Sequence, residues 1–520
     1  MRFFSPDSLH VNRKNFQSIH DFMEEGKHEY VQYSKLNHLI AKYGDYRKMP
    51  SEISAENEVY SQFDFSMLLE AQVHGINLFD VCRLELLSYL AADLEFAKYG
   101  KVFTKNNVFQ FAFDKHRSAL ILNISAAAFW IKHWRKYLET APVYDGALIF
   151  SGSLIYSRSL IELLKLTPTR VFILETFFTG NDYYCEERFS SLPNASLLSS
   201  RNYYDAIFVE SDTWEKDRAK AINKYILSDN LNVKQPAPTG RYLFDADGFV
   251  LVIGQVVNDF SIIGYHGGAF SSIAIYSEFI QKLLDKSDKK IVFKAHPWEN
   301  KKTNLKSPVT ADFLRENFSD YLGSRLLIVE DHSLEELFDQ SNCVVIINSQ
   351  SGIEAAWHGI KPITLGEPFF GNKGFTIDFD VNHIDQAVEH VINHNREAYS
   401  LTLDEFDRFE LFLVKSLVYS LVSKNKSGLI QLRKIFAPFD YIKLSIKGKP
   451  SVENNMIAAP EVISKTVSDR GGNNMLENVA ATNQITLTSF ERKWRKFKRD
   501  PKRFFADSKN PLLRQIAKLC

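Results

Sequence analysis

Short apolar runs recur through the middle of the chain, and each ends in glycine or polar residues. Phe249-Val-Leu-Val-Ile253 passes directly into Gly254-Gln255-Val-Val-Asn-Asp259-Phe-Ser261-Ile-Ile-Gly264. Lys290-Ile-Val-Phe-Lys294 is followed by Ala-His296-Pro297, and Cys343-Val-Val-Ile-Ile by Asn348-Ser349-Gln350-Ser351-Gly352 and a helix that begins near Ile353 and carries Glu354. Lys361-Pro-Ile-Thr-Leu closes on Gly366-Glu367-Pro368. Runs of this kind fit buried parallel strands that deliver side chains to a cleft at their carboxyl ends. Residues 241–400 are therefore expected to form one Rossmann-like domain with a single ligand-binding edge.

A second alternation precedes it. Ala119-Leu-Ile-Leu122, Gly146-Ala-Leu-Ile-Phe150, Arg170-Val-Phe-Ile-Leu174 and Ala206-Ile-Phe-Val209 are apolar runs separated by helix-length segments. That spacing predicts a parallel, doubly wound domain over residues 118–240. Gln235-Pro-Ala-Pro-Thr-Gly240 joins the two halves, and a ligand is expected in the cleft between them. The fold class that follows is α/β, with two Rossmann-like domains facing a cleft. Residues 1–117 read as helical and irregular. Within them, Phe79 to Tyr99 has apolar residues at helical spacing, as an acceptor-binding insertion or a packing layer, and no chemistry is visible there. Residues 401–448 read as helices returning to the sheet. Residues 449–488, rich in Asn, Ser, Glu and Gly and without aromatics, read as a mobile linker.

The last element, residues 489–520, mixes Lys and Arg with aromatics: Trp494, Phe497, Arg499, Lys502, Phe504 and Phe505, followed by the apolar Leu512, Leu513, Ile516 and Leu519. Such a basic amphipathic tail suits the headgroup region of an anionic membrane. A docked carboxyl-terminal helix and a nucleic-acid tail are the alternatives. The second is disfavoured because nothing upstream is strongly basic.

Composition changes this picture little. At 520 residues, with 45% hydrophobic residues and 41 Phe, the chain has the means to build two cores. A formal net charge of zero argues against a nucleic-acid binder in bulk. Cys82, Cys185, Cys343 and Cys520 form no CxxC pair, so neither a zinc site nor a disulfide framework is expected, and a reducing cytoplasm fits best. Met1-Arg-Phe-Phe-Ser-Pro lacks the apolar core of a signal peptide. No run approaches the ~20 apolar residues that span a bilayer. The longest, Ala119 to Ile131, is interrupted by Asn123 and Ser125 and reads as a strand turning into a buried helix.

The candidate chemistry sits at the strand ends. Ser349, Ser351 and Gly352 open a helix after a strand, where free amides and hydroxyls favour an anion, and Glu354 would reach ribose hydroxyls; a capped helix start with no ligand is the alternative. His296, preceded by Lys294 and followed by Pro297, would place donors on a phosphate, although a lone histidine is often structural. Phe150-Ser151-Gly152-Ser153 would present hydroxyls and amides at the end of its run. Glu175 would serve as an acid or base, would hold an acceptor hydroxyl, or would be a capping or salt-bridged glutamate. Asp259 reads as a nucleophile, base or cation stabiliser, or else as the aspartate of an Asx turn or helix cap, and the residues alone leave both open. No Asp-x-Asp clamp, P-loop or Gly-x-Gly-x-x-Gly follows a strand, which disfavours kinases, P-loop NTPases and ordinary dehydrogenases. A two-domain cleft with a nucleotide-phosphate site and a carboxylate is the outline of a GT-B-like glycosyltransferase.

As an ordered set, Gln255-x-x-x-Asp259, His296-Pro297, Ser351-x-x-Glu354 and Leu365-Gly-Glu-Pro-Phe-Phe370 resemble the capsule polysaccharide biosynthesis family, over about residues 245 to 380 and more weakly over 145 to 200. The best-understood members are retaining β-Kdo transferases that use CMP-Kdo to build bacterial surface polysaccharides. The resemblance implies Asp259 as the nucleophile of a glycosyl-enzyme intermediate with Gln255 in the same motif. It also implies His296 against the CMP phosphate, Ser351 and Glu354 for phosphate and ribose, and Glu175 as a matching position. It implies no metal or cofactor, a nucleotide-sugar donor and a lipid-linked saccharide acceptor. The expected location is cytoplasmic, peripheral on the inner face of the bacterial inner membrane. Where family members carry a tryptophan-containing run, this chain has Phe369-Phe-Gly-Asn-Lys-Gly374. Another nucleotide sugar, or a non-catalytic membrane-associated export or assembly protein, is the alternative.

Overall fold

Six parallel strands form the sheet that carries most of the candidate residues, in the order Leu326–Val329, Ile291–Lys294, Phe249–Ile253, Ser341–Ile346, Ile363–Thr364 and Ile377–Asp378. Numbered along the chain this is 3-2-1-4-5-6, the doubly wound Rossmann order. Phe249–Ile253 is buried along its whole length, as expected of a central parallel strand covered on both faces. Sheet order reverses between it and Ser341–Ile346, so a crevice opens outside their carboxyl ends. The computed structural model describes residues 1–437 apart from 178, 181, 192–195, 207–213, 222–235, 238–239, 241–242, 245–247, 265–267, 303–305 and 420–426. The expected linker and tail, with Trp494, Phe497, Arg499, Lys502, Phe504 and Phe505, lie outside the described residues.

The other sheet has the order Val418–Tyr419, Asp182–Glu187, Arg170–Thr176, Gly146–Phe150, Arg2–Ser5 and Glu29–Gln32. The last four are parallel, whereas Asp182–Glu187 runs antiparallel to both of its neighbours. Both sheets fall within the same compact unit, Met1–Ile435. The result is the α/β, GT-B-like architecture expected from the sequence, two Rossmann-like sheets with helical additions. Its first sheet, however, begins at the amino terminus and not at residue 118. Arg2–Ser5 pairs with Gly146–Phe150 through Phe3 and Phe4, both buried, so the region expected to be helical and irregular supplies two strands of this sheet.

Ala119–Leu122 is the second departure. It lies inside the helix Lys105–Thr140, which kinks where His116 leaves helical geometry at φ −138° and ψ 37°. A four-residue apolar run does not distinguish strand from buried helix, and here the apolar character continues through Ala126, Ala127, Ala128, Trp130 and Ile131, all buried. The two polar interruptions donate to backbone: Asn123 Nδ2 to the Gly44 carbonyl at 3.0 Å, with its Oδ1 buried and unpartnered among the described residues, and Ser125 Oγ to the Ile121 carbonyl at 2.7 Å. Of the expected strand Ala206 to Val209, Ala206 ends the helix Arg201–Ala206 and the rest lies outside the described residues. The later helix Leu403–Ser416 leads into Val418–Tyr419, which closes the first sheet at one edge.

A two-stranded ribbon links early and late parts of the chain. Val102–Phe103 pairs antiparallel with Ala269–Phe270, the Ser271 amide donates to the Lys101 carbonyl at 2.9 Å, and Lys101 Nζ meets Glu278 at 2.7 Å. Gly268 is required there, because a Cβ would lie 1.8 Å from the Phe103 carbonyl oxygen. Each ribbon strand then enters a helix whose cap is a hydroxyl: Thr104 accepts from the Asn107 amide and Ser271 from that of Ala274.

Candidate active site

The crevice of the second sheet opens into a cleft of about 860 Å³ whose opposite wall carries Glu175, Thr176 and Tyr184 from the first sheet. Asp259, Gln255, Glu175, Lys294, His296, Pro297, Ser349, Ser351 and Glu354 all line it. Gly352 does not. A Cβ there would meet Ile346 Cδ1 at 2.6 Å and the Phe370 ring at 3.0 Å, so this glycine lets the helix Ser351–Trp357 pack on the strand behind it and is no donor contact.

Asp259 fits both of its sequence readings. It caps the short helix Phe260–Ile263 with φ −63° and ψ 130°, its Oδ1 accepting the Ser261 amide at 2.8 Å. Among the described residues Oδ2 makes no hydrogen bond, and the side chain lines the cleft. Capping thus fixes one carboxylate oxygen and orients the other. Gln255 is 5% exposed and spent at both ends. Its Oε1 accepts the Asn348 amide at 3.1 Å, its Nε2 donates to Ser261 Oγ at 2.8 Å, and Asn348 Nδ2 donates to the Ser261 carbonyl at 2.9 Å. An amide has no proton to exchange at neutral pH. Gln255 therefore positions the Asp259 loop by tying together the exits of the two strands that flank the crevice.

The groups at the other strand ends of the second sheet are equally constrained. Lys294 is buried, its Nζ donates to the Glu330 carbonyl at 2.7 Å, and burial lowers its pKa to about 8 against the pull of Asp331 and Glu330. His296 Nδ1 accepts the Trp298 amide at 3.1 Å, so the neutral ring carries its proton on Nε2. Ser351 Oγ donates to Ser349 Oγ at 2.7 Å, a hydroxyl pair at the start of a seven-residue helix whose first turn holds Glu354. Asn348 Oδ1 is buried with no partner among the described residues, an acceptor waiting on the cleft wall. Across the cleft, Glu175 is half-buried at the end of its strand, where its Oε1 accepts the neighbouring Thr176 amide at 3.2 Å. Phe369 also lines the cleft. Lys373 Nζ holds it in place by donating to the Phe369 carbonyl at 2.8 Å.

Two groups escaped the sequence. Tyr43 and Ser88, from the region without visible chemistry, line the cleft, and Asn258 Nδ2 donates to the Ser88 carbonyl at 3.0 Å. Glu299 lies behind the wall, almost fully buried, and receives the Val257 amide at 3.3 Å, the Thr310 amide at 3.1 Å and the Thr310 hydroxyl at 2.8 Å. Burial pushes its carboxyl up to about 7 despite those donors. The only signal for it was its place two residues past Pro297. Among the described residues, no cluster of three or more His, Cys, Asp or Glu is placed to hold a metal ion, and no helix is long and apolar enough to cross a membrane.

Residues 219–403 match the model of the family described as capsule polysaccharide biosynthesis protein. No curated protein sequence matches the chain. Among solved structures, the beta Kdo 2,4 transferase KpsC of Thermosulfurimonas dismutans is 16% identical over 51% of this chain and 78% of its own, with a TM-score of 0.37. The beta Kdo 2,7 transferase KpsC of the same organism is 15% identical over 58% and 87%, with a TM-score of 0.34. The UDP-GlcNAc 2-epimerase of Methanocaldococcus jannaschii is 14% identical over 56% and 81%, with a TM-score of 0.25. These structural likenesses are distant. Over residues 219–403, the stretch that holds Gln255, Asp259, His296, Ser351 and Glu354, the chain resembles the capsule polysaccharide biosynthesis family, as its ordered motifs implied.

Proposed function

We propose that this chain is a glycosyltransferase of bacterial capsule or lipopolysaccharide assembly that transfers β-Kdo, or a related sugar, from a CMP-activated donor with retention. The observation that carries this is convergence: three separated motifs, ending in Asp259, His296 and Glu354, meet in one cleft at the reversal point of the second sheet. The match to the capsule family supports the coarser activity, and the residue resemblance supports the donor and the stereochemistry.

In this reading Asp259 attacks the anomeric carbon with the carboxylate oxygen that its cap leaves unbonded. The bond to the CMP oxygen breaks and its electron pair stays on the phosphate. His296 Nε2–H, the serine hydroxyl pair and Lys294 offer donors to that growing charge, and Glu354 takes the ribose. An acceptor hydroxyl then displaces Asp259 from the sugar. Glu175, on the facing wall, holds a neighbouring hydroxyl of the acceptor. The acceptor is a lipid-linked saccharide, and the basic, aromatic residues 489–520 hold the enzyme at the inner membrane face. Intact-mass measurement after incubation with CMP-Kdo, with peptide mapping and a parallel assay of released CMP, tests the proposal. A Kdo-sized adduct on the peptide containing Asp259 is expected. CMP release with no adduct would remove the nucleophile, and no reaction at all would remove the donor.

A further inference from the structure

We propose that Asp7, His10 and Tyr43 form a proton-accepting relay for the acceptor hydroxyl, with Tyr43 touching that hydroxyl and His10 and Asp7 acting through it. The inference rests on Asp259 as the nucleophile, since the relay serves the second displacement.

The three residues stand at the counterpart of the Asp259 crevice. Arg2–Ser5 lies between Glu29–Gln32, which follows it in the chain, and Gly146–Phe150, so the first sheet also reverses its order at this strand. Asp7 and His10 lie just past the carboxyl end of Arg2–Ser5, where such sheets bind ligands. The His10 ring stacks on Phe150, the last residue of the neighbouring strand, at 4.8 Å between centroids and 5° between planes.

The hydrogen bonds assign the protons. Asp7 is fully buried; its Oδ1 accepts the His10 amide at 2.6 Å and lies 3.3 Å from His10 Nδ1, and its Oδ2 accepts the Tyr156 hydroxyl at 2.6 Å. Burial alone would raise the Asp7 carboxyl, but His10 and Tyr156 outweigh it and hold it below the usual range. Tyr156 has spent its one proton on Asp7, so at 3.3 Å from His10 Nδ1 it is able only to accept. Nδ1 therefore carries the ring proton and Nε2 the lone pair. The Tyr43 hydroxyl, 2.7 Å from Nε2, donates to it.

Tyr43 is built to reach the cleft. It holds φ +48°, a left-handed conformation that costs a non-glycine residue about 1 kcal/mol or more, and the residue is 44% exposed and lines the cleft. Buried contacts enforce the turn: the Gly44 amide donates to Glu85 Oε1 at 2.8 Å, Asn123 Nδ2 to the Gly44 carbonyl at 3.0 Å, and Ser88 Oγ to the Tyr43 carbonyl at 3.1 Å. Ser88 in turn accepts Asn258 Nδ2 through its carbonyl, so the relay and the Asp259 loop are fastened to one residue. A strained, exposed tyrosine backed by a buried Asp–His pair is an arrangement for moving a proton.

The step balances without a further reagent. The acceptor oxygen bonds to the anomeric carbon as the bond to the Asp259 carboxylate breaks, its electron pair returning to Asp259. The hydroxyl proton passes to the Tyr43 oxygen while the Tyr43 proton passes to His10 Nε2, leaving an imidazolium beside the Asp7 carboxylate.

The test follows decay of the Kdo adduct formed from CMP-Kdo by intact mass in buffer, where water is the acceptor, and in sodium azide, a nucleophile with no proton to lose. Tyr43→Phe, which removes the hydroxyl and its bond to His10 and keeps the ring, and His10→Asn are compared with wild type. The expected result is an adduct that persists in both variants, decaying roughly 10²–10⁴-fold more slowly in buffer, with azide restoring decay and yielding the glycosyl azide. Wild-type decay in buffer by both variants would overturn the relay and leave Asp259 standing. A slow, azide-rescued Glu175→Gln beside an unaffected Tyr43→Phe would move the role to Glu175. No adduct on the wild-type protein or on either variant would overturn the nucleophile and the relay together.

Discussion

Glu299 makes the stability of the donor-side wall depend on pH, in a direction that can be worked out. Its carboxyl is raised from 4.5 to about 7, with burial as the main cause. A folded-state pKa above the unfolded value means that the native protein holds the proton more tightly. The stabilisation is complete below about 4.5, falls as pH rises, and is gone above about 7. At 1.36 kcal/mol per unit the full effect is about 3 kcal/mol, most of which falls between pH 5 and pH 8. Urea unfolding of wild type and Glu299→Gln at both pH values isolates this. Glutamine places an amide where the carboxyl receives the Val257 and Thr310 donors, and that cost is independent of pH and cancels in the double difference. The wild type should lose about 2 to 3 kcal/mol more than the variant on going from pH 5 to pH 8. An equal pH dependence in both proteins would refute the argument.

Asp259→Asn and Asp259→Ala separate the two roles of that residue. Asparagine caps as well as aspartate, so it should abolish adduct formation with a melting temperature near wild type, whereas alanine should also lose about 1 kcal/mol with the cap; adduct formation by the asparagine variant would remove the nucleophile. Removal of residues 490–520 should weaken flotation with anionic liposomes while sparing turnover of a soluble acceptor. Equal flotation of the truncated chain would end the case for the tail.

Much of the donor side was legible because parallel strands buried on both faces leave a plain mark. Phe249–Ile253, Ile291–Lys294 and Ser341–Ile346 are short apolar runs, and the polar residues that follow them meet in the cleft. The first sheet hid its strands for physical reasons. Glu29-Tyr-Val-Gln32 is an edge strand with one side open, and Asp182-Tyr-Tyr-Cys-Glu-Glu187 is antiparallel and mostly polar, so neither shows a continuous apolar run. Ala119–Leu122 shows one, but within a helix buried on nearly all sides. Distant partners were out of reach in principle. Nothing local says that Asp7 will bond Tyr156, 149 residues away, or that Gln255 will bond Asn348, 93 residues away. A strained φ at Tyr43 has no signature beyond the glycine that follows it.

The ribbon of Val102–Phe103 and Ala269–Phe270 bears on how such enzymes can be recombined. A cut at the proline-rich join near residue 240 looks, on the linear map, like a clean seam between acceptor and donor modules. In space it is not one, because Lys101 to Thr104 are stitched to Gly268 through Glu278 by two backbone strands, an ion pair and a glycine with no room for a methyl. A chimera that imports a foreign second half must therefore bring the matching stretch near residue 102 with it, a segment some 140 residues upstream of the cut.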